Sequence, residues 1–89
     1  GRPHDRVQDD ELTVSLWQQN GRHGDYLTSS GVRKVFRDKQ SGEYRETSRL
    51  TGTGEHLRAA KLLERAAERI RQHREIAQTQ RQSERSRSR

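Results

Sequence analysis

Eighty-nine residues carry 19 Lys+Arg against 13 Asp+Glu, a formal charge of +6, with 25% apolar and 36% charged residues. The chain has no cysteine and no apolar run near the roughly 20 residues needed to span a bilayer. A disulfide scaffold, a membrane protein and a multidomain enzyme are excluded. A small, basic, cytoplasmic binding module is expected.

Residues 1–10, GRPHDRVQDD, are polar, contain one Pro and show no periodicity. They read as a flexible arm. Residues 11–19, ELTVSLWQQ, alternate, with Leu12, Val14 and Leu16 on one side and Thr13, Ser15 and Trp17 on the other. That predicts a half-buried strand. Asn20-Gly21 opens the turn at 20–24. Residues 26–37, YLTSSGVRKVFR, give a second strand, with Gly31 marking a bulge or bend. DKQSG at 38–42 is the next turn, with Gly42 suited to the left-handed position. EYRETSRL at 43–50 gives the third strand.

From Glu55 the period becomes 3.6. Ala59, Leu63, Ala66 and Ile70 form the apolar stripe, widened by Leu62 and Ala67. Good helix formers continue to about residue 80. Residues 78–89 bring four arginines and one Glu with nothing to bury, and read as a disordered basic tail. The expected fold is α+β: a three-stranded antiparallel β-meander followed by one long C-terminal helix, with the domain at 11–77. Its apolar residues are few for a monomer, so a homodimer is expected.

The inward set is Leu12, Val14, Leu16, Val32, Phe36, Tyr44 and Leu50, against Leu63, Ala66 and Ile70. The opposite sheet face then carries Arg33, Arg37, Arg45 and Arg49 with Trp17, Thr13, Ser15 and Thr47. Arginine neutralises phosphates, and an aromatic ring stacks on an unpaired base. Sixteen arginines to three lysines suit that use. This face predicts a nucleic-acid-binding surface in which Arg33, Arg37, Arg45 and Arg49 meet phosphates while Trp17 and Tyr26 stack. An ordinary solvated face, with Asp38, Glu43 and Glu46 pairing the arginines, is the plain alternative. The assignment leaves Lys34 inward and Leu27 and Val35 outward. A bulge at Gly31 would change that phase.

Helix charges such as Lys61/Glu64, Arg65/Glu68 and Arg71/Glu75 are spaced to pair along the helix. Arg81, Arg85, Arg87 and Arg89 suit phosphate contact or simple solubility. Nothing points to catalysis, a metal, a cofactor or a small-molecule substrate. His4, His23, His56 and His73 lack ligand spacing. Thr51-Gly52-Thr53-Gly54 lacks the Lys of a phosphate loop but precedes a helix that could hold one backbone phosphate.

The run Leu16-Trp17, Gly24-Asp25-Tyr26, Arg33 to Phe36, Asp38 to Tyr44, Thr47-Ser48 and Leu57 to Ile70 resembles a group of small uncharacterised bacterial proteins. Its layout is similar to the positive-cofactor-four and Whirly single-stranded-DNA-binding folds. That resemblance implies dimers binding single strands across sheets. Gly52-Thr53-Gly54 followed by Arg58-Ala59-Ala60-Lys61 and Ala66-Ala67 is similar to the double-stranded-RNA-binding domain. That family opens on a helix, which residues 1–10 do not supply, and its paired lysines are replaced by His56-Leu57. A module that binds protein through the long helix is the remaining reading.

Overall fold

In a computed structural model, which describes residues 2–87, the chain is α+β, as expected, but has five strands rather than three. They are β1 (Asp5–Asp9), β2 (Leu12–Gly21), β3 (Gly24–Ser29), β4 (Arg33–Arg37) and β5 (Tyr44–Thr47), followed by α1 (Gly52–Arg87). All pairings are antiparallel. β2 is central, with β1 on one edge and both β3 and β4 on the other; β5 pairs β4.

The expected flexible arm is instead largely a strand. Val7 faces Val14 across the β1–β2 pair, and Asp9 faces Leu12. One apolar residue suffices because Val7 is sealed to 1% exposure. The other addition comes from Gly31, which divides the expected second strand in two. Leu16 pairs Ser29, yet Thr13 pairs Arg33. Three steps along β2 are matched by four along its partner, so one residue bulges out. Gly31 has φ +75°. The bulge inverts the alternation. Leu27 turns inward, where it is buried, while Arg33 and Arg37 stay outward.

A Cβ at Gly31 would meet no atom within 4 Å, so only backbone strain opposes a side chain there. Gly31→Ala is expected to cost about 1 kcal/mol through its left-handed φ. A urea titration followed by circular dichroism would measure it.

The turn falls inside the expected 20–24, but Asn20 and Gly21 themselves belong to β2. β2 continues to Gly21, which pairs Gly24 around Arg22-His23. Gly21 is required for another reason: a Cβ there would lie 2.9 Å from the Tyr26 ring.

The core comprises Val7, Leu12, Val14, Leu16 and Leu27 against Ala59, Leu62 and Ala66, with Val32, Leu50 and Ile70 partly buried beside them. Leu62, not Leu63, points into it; Leu63 is 45% exposed. Phe36 and Tyr44, expected inside, are exposed because α1 packs on β1, β2 and β3 and leaves the β4–β5 hairpin uncovered. Tyr44 also lies on the sheet face opposite the helix, since it pairs Arg37.

α1 starts at Gly52 and spans 36 residues, about 54 Å at 1.5 Å per residue. Residues 78–87, expected to be a disordered tail, continue it; Gln, Arg and Glu propagate a helix and no Gly or Pro interrupts. No helix among the described residues is long and apolar enough to cross a membrane.

Arginines from α1 clasp the β1 edge. Arg58 reaches Asp9 Oδ2 (3.2 Å), both Glu11 carboxylate oxygens and the Asp9 carbonyl (3.1 Å). Arg65 donates to the Gln8 carbonyl at 3.2 Å, and Arg69 pairs Asp5 at 2.8 Å. The carbonyls of an edge strand are thereby taken by side chains of the same chain. Arg65 is thus not joined to Glu68, as its spacing suggested. Arg71 bonds both Glu68 and Glu75.

Glu11 is lowered to about 2, first by its own backbone N–H and then by Arg58. Glu55 and Glu68 are lowered too, by Lys34 and by Arg71. Asp10 moves the other way, raised by its hydrogen bond with Glu11. A carboxylate depressed in the folded state adds stability above its unfolded value of 4.5, and that stability is lost as pH falls toward about 2. The thermal midpoint is therefore expected to fall between pH 5 and pH 2. It should fall less in Arg58→Met, as melting by circular dichroism across that range would show.

Candidate nucleic-acid interface

The sheet face away from α1 is built by alternation from all five strands. β1 places Arg6 there, opposite Ser15. β2 contributes Thr13, Ser15 and Trp17, and β4 contributes Arg33, Val35 and Arg37. Tyr26 joins through its pairing with Gln19, and Tyr44 and Glu46 through β5.

Pro3, Arg6, Trp17, Ser30, Arg33 and Glu46 ring a depression of about 460 Å³ floored by Thr13, Ser15 and Val35. Trp17 is half-buried, so its ring is held while part of it meets solvent. The Arg6 guanidinium has no ion-pair partner among the described residues. Arg33 pairs Glu46 at 3.8 Å, a loose and exposed contact. Such pairs hold little energy in water and yield readily to a phosphate. Arg37 donates to the Gly42 carbonyl at 3.1 Å and has no carboxylate partner among the described residues. Tyr26 is 50% exposed and its ring lies against Gly21.

The platform of four arginines does not assemble as expected. Arg33 and Arg37 lie on this face; Arg45 and Arg49 do not share it. Arg37 pairs Tyr44, and Phe36 pairs Arg45. Arg45 therefore points to the helix side of the sheet, where Asp38 holds it at 2.7 Å. Arg49, beyond the end of β5, lines a surface recess with Lys34, Phe36, Thr47 and Thr51 on that reverse side. The cause is a six-residue loop, 38–43, closed by the Asp38 N–H donating to the Glu43 carbonyl and the Gly42 N–H donating to the Asp38 carbonyl. One residue more or fewer would restore the expected parity.

Arg6 is the residue that the sequence does not reveal, because residues 1–10 show no periodicity of their own. The available signal was Val7, flanked by polar residues and set symmetrically with Val14 about Asp10-Glu11.

The helix start does not favour a phosphate. Glu55 already occupies it, accepting from the Thr51 N–H at 2.6 Å and from Lys34 Nζ at 2.5 Å. A carboxylate there competes with any anion for the helix dipole. Arg81, Arg85, Arg87 and Arg89 lie outside the described side chains. Among the described residues no cluster of three or more His, Asp or Glu is placed to hold a metal ion. His4 and His73 meet edge-to-face with ring centroids 5.3 Å apart, and His56 Nδ1 lies 2.6 Å from the Gly52 carbonyl. No family model, no curated protein and no solved structure matches this chain.

Proposed function

We propose that this chain is a non-catalytic nucleic-acid-binding module that takes single strands, DNA or RNA, on its outer sheet face with low sequence preference. The observation that carries the reading is the half-buried Trp17 ring lining one depression with Arg6 and Arg33 on a face that α1 leaves open. Arg6, Arg33 and Arg37 meet phosphates, Trp17 stacks a base, and Tyr26 offers a second ring. A half-exposed ring suits an unpaired base, whose face is free, better than a duplex. Arg45 and Arg49 reach a strand only where it passes around the β4–β5 hairpin. Eight buried core residues among the described ones are few for a chain of this length, which supports the homodimer as the working state.

A gel-shift series with single- and double-stranded oligonucleotides at 50 and 300 mM salt tests this. The single strand should bind more tightly, and its affinity should drop steeply with salt as counterions cease to drive binding. Equal affinity at both salt concentrations, or clear preference for the duplex, would overturn it.

A further inference from the structure

The tip of the β2–β3 hairpin overhangs the middle of α1. Between residues 21–27 and the helix at 70–78 lies a cleft of about 510 Å³. Gly21 and Gly24 border it at the hairpin tip. Its apolar lining is Leu27, 7% exposed, with half-buried Ile70 and Ala77. Arg22 and Arg74 also line it, and neither has an ion pair among the described residues. Asp25 is the one carboxylate in the lining among the described residues, and its Oδ2 already accepts from Gln18 Nε2 at 2.8 Å.

We propose that this cleft binds a small anion with an apolar body: a flat ring or short chain against Leu27, Ile70 and Ala77, and a carboxylate or sulfonate between Arg22 and Arg74. The volume lies within the roughly 300–1,000 Å³ of small-molecule sites, which pair apolar walls with a few placed polar groups. Arginine suits a planar anion because its fork donates two parallel hydrogen bonds. Tyr26 borders both the cleft and the outer face, but neither it nor Trp17, Arg6, Arg33 or Arg37 is used by the proposed anion site, so the two proposals stand or fall separately.

The test is a ¹H–¹⁵N titration of the full chain with naphthalene-2-sulfonate and, in parallel, with neutral naphthalene-2-methanol. The sulfonate should shift amides at 21–27 and 70–78 and bind more tightly than the alcohol. Arg22→Gln and Arg74→Gln should each weaken it about fivefold, a modest charge-assisted contact at a wet site, with circular dichroism unchanged. Shifts centred on the Trp17 face, equal affinity for the neutral analogue, or indifference to both substitutions would overturn the proposal. The wild-type shift map and the neutral comparison decide it even if a variant fails to fold.

Discussion

Leu62→Ala should unfold a large share of the protein at physiological temperature, whereas Leu63→Ala should hardly change stability. Leu62 is 1% exposed within a core of eight buried residues, and Leu63 is 45% exposed. Truncating a buried leucine costs about 2–5 kcal/mol, from lost transfer energy and from the cavity left behind. Whole domains hold only about 5–15 kcal/mol, and a core this small belongs at the low end. A loss of about 3 kcal/mol corresponds to a fall of roughly 12–24 °C in the thermal midpoint for a domain of this size. Circular dichroism melts of the two variants give the comparison directly. Equal losses would mean that α1 is rolled differently on the sheet. Melts at several protein concentrations add a second readout, because a midpoint that rises with concentration is the mark of a folded homodimer.

The roll of the helix explains why sequence alone selected the wrong leucine. Ala59, Ala66 and Ile70 are correctly placed on the stripe, and both Leu62 and Leu63 fit beside them. What decides between the two is the arginine clasp. Arg58, Arg65 and Arg69 hold one flank of α1 against β1, so Leu62 on that side goes in and Leu63 comes out. That clasp was invisible while residues 5–9 read as an arm. A strand with one apolar residue has no periodicity of its own; its pairing with β2 and these long-range ion pairs make it. The α+β class, the β2 alternation, the Gly31 bulge and the left-handed Gly42 were all legible, because each rests on local patterning or on glycine's freedom at positive φ. The faces of Arg45 and Arg49 were not. They depend on the length of the 38–43 loop to a single residue, and composition does not fix that length.

Trp17→Ala is expected to weaken single-strand binding by about 5- to 150-fold, the range that 1–3 kcal/mol of base stacking implies. The fold should survive, because Trp17 is half-buried and outside the core cluster. The variant also separates stacking from charge. Each phosphate contact adds about 0.7 to the slope of log affinity against log salt for a single strand. Trp17→Ala should therefore lower affinity at every salt concentration and leave the slope alone. Arg6→Ala and Arg33→Ala should each reduce the slope by about that amount. Arg49→Ala, on the reverse of the hairpin, should not change it. The chain has a single Trp, so quenching of its intrinsic fluorescence on adding an oligonucleotide reports the same contact in the unmodified protein. If affinity survives the loss of the ring while the arginine variants flatten the slope, the outer face is a bare electrostatic surface. If Arg49→Ala flattens it as much as Arg6→Ala, the strand crosses the other side of the hairpin.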